Sequence, residues 1–173
     1  MTAEEILAAL VKRAGDGIYA SELAFSQGAR RVDFWTISAN SSSGFKADAY
    51  EIKVSRADFK RDSAIKQREA RLFSDRFYYV TPVDLIRPEE CPDWAGLIEF
   101  DGEKLKTRIN APLRDKDAPS WEFVVSLIRQ SGNINRDADL LRKRALYAER
   151  TLAEVERKLR DAGHQPWQFG INK

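Results

Sequence analysis

Cysteine, histidine and methionine are almost missing from this 173-residue chain, which carries one of each. A lone cysteine, Cys91, excludes an internal disulfide and every paired-cysteine metal spacing, and it suits a reducing compartment. It stands next to Pro92 with no histidine near it in sequence, so it reads as a bland loop residue rather than a nucleophile. The lone histidine, His164, lies in the C-terminal tail. Serine-histidine-aspartate catalysis or a multi-histidine zinc site would have to run through it. Also missing is any apolar run of the roughly 18–20 residues that span a bilayer. The N-terminus, Met1 to Glu5, carries acids where a secretory signal carries bases. These features lead us to expect a soluble, cytoplasmic protein with no membrane partner. Charge of one sign is not in excess either: the net charge is +2. Composition alone therefore says nothing about nucleic acid, and the local distribution of bases has to carry that case.

Hydrophobic residues make up 43% of the chain, enough for a true core. The length suits one domain over residues 1–130, with a helical extension over 131–173. Ile6, Leu7, Leu10 and Val11 recur at helical spacing behind a Thr2/Glu5 capping box, which predicts a helix over residues 3–14. A second short helix is expected from Ser21 to about Gln27, stopped by Gly28. Arg31 to Ser38 is β-branched and aromatic, a strand; a Ser/Asn/Gly turn follows; Lys46 to Val54 is the return strand of a hairpin. Ser55 caps a helix expected to run to about Phe73. Arg76 to Thr81 suits a buried central strand. Two strands around Asp101-Gly102, a polar connector over residues 112–119 and a short helix from Trp121 come next. In the last helix, expected over about 136–162, Leu141, Ala145, Ala148, Leu152, Val155, Leu159 and Ala162 alternate at spacings of four and three. That stripe either packs on the domain's own core or, over 137–162, joins a second copy or a helical partner.

The chemistry concentrates in the hairpin. A strand period of two puts Glu51 and Lys53 on one face, with Tyr50, Ile52 and Val54 on the other. Asp33 sits among Val32, Phe34 and Trp35, where a buried carboxylate needs a partner. Arg30, Arg31 or Lys53 is one choice; a divalent cation shared with Glu51 is another. Hard cations such as Mg²⁺ take one or two carboxylates together with waters and substrate phosphates. Lys53 would then neutralise charge on a scissile phosphate or orient the attacking water. The bland alternative is a cross-strand ion pair between Glu51 and Lys53, with Asp33 paired to Arg31.

Asp33 together with Glu51-Ile52-Lys53 resembles the bipartite motif of the PD-(D/E)XK nuclease superfamily, with Val32 in place of the motif's proline. A closer likeness is to the MmcB-like DNA-repair family. It is carried by the run from Glu51 to Asp62, by Ser74 to Val80 and by Gly96-Leu97-Ile98, within residues 20–110. The chain departs from that family at Ser63 to Arg68, where the family tends to carry Lys-Trp and a tyrosine. The resemblance implies a restriction-endonuclease-like α/β fold, a mixed β-sheet flanked by helices, followed here by the long C-terminal helix. It also implies a Mg²⁺- or Mn²⁺-dependent deoxyribonuclease, bacterial or phage-encoded, working in DNA repair, restriction or phage DNA processing. Asp33, Glu51 and Lys53 would be catalytic, and Glu22, on the helix before the first strand, would join Asp33, Glu51 and the Ile52 carbonyl around the metal.

Bases crowd the segment after the hairpin: Arg56, Lys60, Arg61, Lys66, Arg68 and Arg71, with Arg30 and Arg31 nearby. Phosphate contacts from such a cluster give affinity without sequence preference. Arg30, Arg31, Ser55, Arg56 and Lys60 are the expected DNA contacts. Gln67 joins them by likeness to superfamily members that use a glutamine on this helix. Asp58, Asp62 and Glu69 dilute the patch, as a plain solvated helix face would. A non-cleaving nucleic-acid-binding or assembly module on the same fold is the competing reading.

Overall fold

The computed structural model describes residues 1–15, 17–25, 30–131 and 134–169, with side chains omitted over 131–141, at 143–144 and at 166. The chain divides into two compact units, Met1–Ser131 and Gly132–Lys173.

The first unit is α/β. Helix α1 (Ala3–Ala14) opens it, with the Thr2 and Glu5 capping box formed. Six strands follow: β1 (Ile18–Phe25), β2 (Arg30–Ile37), β3 (Ala47–Ile52), β4 (Arg76–Pro82), β5 (Gly96–Phe100) and β6 (Leu105–Ile109). They form one mixed sheet in chain order. β3–β4 and β4–β5 are parallel, and the other neighbours are antiparallel. Helices α2 (Arg56–Lys60) and α3 (Arg68–Leu72) lie in the crossover from β3 to β4, and α4 (Trp121–Ser131) follows the sheet. α5 (Ile134–Asp161) belongs to the second unit.

Each face of the sheet carries its own core, which is why the central strands are apolar on both sides. Ile6 and Leu10 of α1 pack on Phe34, Tyr50, Ile52, Tyr78 and Val80. On the other face, Ala70 of α3 and Phe123 of α4 pack with Trp35, Ala49, Phe77 and Tyr79. Close approach is needed where β4 meets β5. A Cβ on Gly96 would stand 2.5 Å from the Tyr78 ring and 2.6 Å from the Ala111 nitrogen. Gly96→Ala is therefore expected to cost about 1–3 kcal/mol by overpacking, read as a lower midpoint in urea at unchanged slope. An unchanged midpoint would show that the ring and strand give way freely.

Two expectations need correction. The segment from Ser21 is strand β1, not a helix; Gln27 and Gly28, which were to end that helix, lie outside the described residues. Ser-Glu-Leu-Ala has ordinary helix propensity. Pairing with β2, Ser21 opposite Phe34 and Leu23 opposite Val32, overrides that weak preference. The helix from Ser55 to Phe73 is likewise two short helices. The chain breaks at Arg61–Gln67, where the Asp62 carboxylate accepts the Ser63 N–H at 2.7 Å and competes with the helical ladder. The long C-terminal helix forms as expected, and Ala145, Ala148, Leu152 and Val155 of its stripe are exposed. No helix among the described residues is long and apolar enough to cross a membrane.

Candidate functional site

β2 and β3 pair from Ile37–Ala47 to Phe34–Tyr50, and the pairing ends there. The next pair would set Asp33 opposite Glu51. Instead the Asp33 side chain takes over a bond of the ladder: its Oδ2 accepts the Ile52 N–H at 2.6 Å. On its other side Asp33 faces an irregularity in β1. Glu22 has a left-handed φ of 52°, and the core-facing positions shift from Ala20 to Leu23 and Phe25 across it. Such a backbone in a glutamate costs of order 1–3 kcal/mol and collects at functional sites. Three strands thus bring Glu22, Asp33 and Glu51 to one corner of the sheet. Glu22 is exposed, and its charge reaches Asp33.

Lys53 supplies compensating charge at this corner but does not outweigh the burial of the two carboxylates. Burial raises the Asp33 pKa, against the Ile52 N–H that lowers it, and Glu22 adds to the rise. Glu51 is pushed up to about 7, by burial first and then by the negative charge of Asp33. Its Oε2 is buried and finds no hydrogen-bond partner among the described residues. Its Oε1 accepts from Lys53 Nζ at 3.0 Å.

Lys53 is only 6% exposed. Its ammonium also lies 3.3 Å from Asp58 and 3.2 Å from Asp62. Burial pulls its pKa down, but these carboxylates more than offset that and hold it above the ordinary lysine value. Asp62 is itself fixed, accepting from the buried Gln67 Nε2 at 2.9 Å, with the Tyr79 hydroxyl bonded to it from the sheet. The lysine end is therefore held by a second layer: Gln67 and Tyr79 orient Asp62, and Asp62 with Asp58 orients Lys53.

A cleft of about 260 Å³ opens beside the lysine end, and Glu22 and Asp33 are not part of its lining. Glu51, Lys53, Asp58 and Asp62 line its floor, with Arg30, Arg31, Lys66 and Gln67 around them. The expected residues Arg30, Arg31, Glu51, Lys53 and Gln67 thus come together, although Gln67 faces Asp62 rather than open space. Ile52 enters the site through its N–H. Ser55 caps α2, accepting the Asp58 N–H at 3.2 Å. Arg56 turns away from the cleft: its guanidinium bonds the Glu90 carboxylate and the Leu85 carbonyl, the latter at 2.9 Å. Lys60 is exposed on the same short helix and does not line the cleft.

Sequence reasoning missed Asp58, Asp62 and Tyr79 as parts of the site. The spacing held one usable signal. Ser55-x-x-Asp58 has capping-box spacing and puts Asp58 in the first turn of α2, shortly beyond Lys53, and Asp62 follows four residues later. Cys91 stays outside the site, its thiol pushed up to about 11 by burial, which agrees with an inert loop residue.

Carboxylate oxygens are the donors that hard divalent cations prefer. Among the described residues, however, no three Asp, Glu, His or Cys side chains gather as metal ligands. The arrangement present is a pair, Asp33 and Glu51, with Glu22 further out.

No protein-family model and no curated protein matches the chain. Among solved structures it is similar to the SPO1766 protein of unknown function from Silicibacter pomeroyi. That likeness has 24% identity and a TM-score of 0.59 over 82% of this chain and 92% of that one. It establishes a shared fold: an α/β architecture with a six-stranded mixed sheet flanked by helices.

Proposed function

We propose that the chain is a Mg²⁺- or Mn²⁺-dependent DNA phosphodiesterase built on a PD-(D/E)XK core, with Asp33, Glu51 and Lys53 as its catalytic residues. The observation that carries this reading is the pair of partly buried carboxylates where β2 and β3 part. Glu51 Oε2 has no hydrogen-bond partner among the described residues, and its pKa is pushed up to about 7 by burial and Asp33. Lys53 answers only the Oε1 of Glu51, and a buried oxygen left without a partner is destabilising until a donor or cation reaches it. The residues therefore fit a hard cation held by two carboxylates, the number Mg²⁺ commonly takes from protein.

Asp33 and Glu51 would hold the ion, and Glu22 stands close enough to add charge from the β1 side. The ion, when bound, polarises the scissile phosphate and acidifies the attacking water. Lys53 neutralises negative charge developing on the phosphate, held in place by Asp58 and Asp62. Arg30, Arg31 and Lys66 at the rim bind flanking phosphates without reading sequence.

The test is incubation of plasmid, linear, single-stranded and branched DNA with Mg²⁺, Mn²⁺ or a chelator, beside the Asp33→Asn variant. Asparagine keeps an oxygen for the Ile52 N–H, whereas alanine would strand that donor at about 1–3 kcal/mol. Asp33→Asn is expected to stay folded and to lose cleavage by roughly 100-fold or more. Equal cleavage by wild type and variant would remove the assignment. One observation favours a non-cleaving nucleic-acid-binding module instead: Lys53 is already surrounded by carboxylates. Calorimetry with Mn²⁺ separates the two readings, since only the nuclease requires uptake of the ion.

A further inference from the structure

The turn between α2 and α3 sorts its side chains by charge. The acids point inward: Asp62 is 3% exposed and lies 3.2 Å from the Lys53 ammonium, and Asp58 lies 3.3 Å from the same group. The bases point outward. Lys60, Arg61, Lys66 and Arg68 are all exposed, and the contact of Arg61 with Asp58 is a loose one at 3.8 Å. A run whose acids and bases are interspersed in sequence thus presents mainly cations to solvent.

Ile65 stands in this turn, 82% exposed. A scattered apolar side chain on a surface is ordinary. Ile65 differs because the backbone that carries it is tied down. Asp62 accepts the Ser63 N–H at 2.7 Å, the Ser63 hydroxyl accepts the Lys66 N–H at 3.3 Å, and the Ser63 carbonyl accepts the Gln67 N–H at 3.1 Å. Lys66 Nζ donates to the Arg61 carbonyl, and the buried Gln67 donates from its side chain to Asp62. A branched apolar side chain is therefore held out to water on a fixed support among cations. At that exposure it contributes little to the fold.

We propose that Ile65 is a wedge that enters the base stack of duplex DNA, with Lys60, Arg61, Lys66 and Arg68 on the phosphates around it. The inference rests on the reading of the cleft as a DNA site and names the form of DNA it takes. Lys66 belongs to both places: it lines the cleft and follows Ile65 directly, so DNA drawn to the cleft meets the wedge beside it. A duplex answers both parts of the turn. Phosphates take the cations, and an opened base step takes the apolar side chain, as in proteins that kink DNA with inserted isoleucine or leucine. A membrane surface answers the charge but not the lone isoleucine, because interfacial binding scales with the apolar area buried.

The experiment uses the wild-type protein in chelator, where metal-dependent cleavage is suppressed, and a short duplex carrying 2-aminopurine at successive positions. Anisotropy of a separate end label reads binding, and 2-aminopurine fluorescence reads unstacking. A several-fold rise confined to neighbouring positions is expected. Ile65→Ser should abolish that rise and weaken binding only a few-fold, because the cations remain; Ile65→Phe should keep it. The Lys66→Ala/Arg68→Ala double variant should reduce the slope of log affinity against log salt by about 2. All three positions are exposed, so circular dichroism should show every variant folded. Absence of DNA binding, binding without a rise, a rise that Ile65→Ser leaves intact, or tighter binding of anionic phospholipid vesicles than of DNA overturns the proposal. Cleavage by wild type and Asp33→Asn is measured separately. Cleavage without a rise removes the wedge and leaves the nuclease reading standing; a rise without cleavage keeps the wedge and assigns it to the non-cleaving module.

Discussion

Lys53→Met is expected to destabilise the protein by about 3–5 kcal/mol at pH 8, the range found when one partner of a buried ion pair is removed. The size follows from what is left behind. Glu51 and Asp62 are largely buried, Asp58 is half-exposed, and all three share the one ammonium. Methionine fills the volume of the lysine stem, so the loss is electrostatic and not a cavity effect. The pH dependence then has a definite sign. In the wild type, Lys53 has a folded pKa above its ordinary 10.5. Its contribution is complete below that value and fades only as the pH rises through the raised folded pKa. In the variant Glu51 loses the cation that holds its pKa down, so its folded pKa climbs further. It takes up a proton more readily folded than unfolded, so the deficit is largest above neutrality and shrinks as the solution is acidified. Urea unfolding of both proteins at pH 8 and pH 5 measures this. A second change, Asp62→Asn, should recover part of the loss at pH 8, because it removes one stranded charge and keeps an oxygen for Gln67. A deficit that is the same at both pH values, or one that Asp62→Asn deepens, would show that Lys53 acts through packing alone.

The sequence makes some of these elements legible and hides others. The hairpin was legible because Val32 to Ile37 and Ala47 to Ile52 are rich in β-branched and aromatic residues, and a period of two assigns Glu51 and Lys53 to one face whatever the tertiary context. β4 was legible for the same reason. β1 was not. Ser21 to Phe25 has no alternation, because the backbone turns left-handed at Glu22 and the core-facing positions slip by one. A pattern with its period broken in the middle reads as something else. The segment Ser55–Phe73 failed differently. Its charges look like a solvated helix, and only the break at Arg61–Gln67 lets Asp62 fold back under Lys53. Asp58 and Asp62, which dilute the basic patch in sequence, are thus the groups that hold the lysine, and Arg56, one of the expected DNA contacts, is spent on Glu90. The partner of a charge depends on contacts distant in sequence, and no local pattern records them.

Glu51→Gln is expected to change stability and cleavage in opposite directions. The Glu51 carboxyl is pushed from 4.5 up to about 7, so the folded protein holds this proton more tightly than the unfolded chain does. Wild-type stability therefore falls as the pH rises from about 4.5 to about 7, and the loss persists above that window. The displacement corresponds to about 3 kcal/mol once the group is fully ionised in both states. Glutamine escapes the penalty, and its oxygen still accepts from Lys53. Its amide nitrogen takes the place of the unpartnered Oε2 and offers a donor toward Asp33. The variant should match wild type near pH 4 and exceed it by up to about 3 kcal/mol at pH 8 in metal-free buffer. Added Mn²⁺ should stabilise the wild type at pH 8, since a ligand that binds only the folded state raises its stability by mass action. It should do much less for Glu51→Gln, and cleavage by the variant should disappear. Fold and proposed function pull against each other at this carboxylate, as they do where a site is kept strained for its chemistry. A Glu51→Gln protein that is less stable than wild type at pH 8, or one that Mn²⁺ stabilises as strongly as the wild type, would show that Glu51 is an ordinary partner of Lys53 and not half of a cation site.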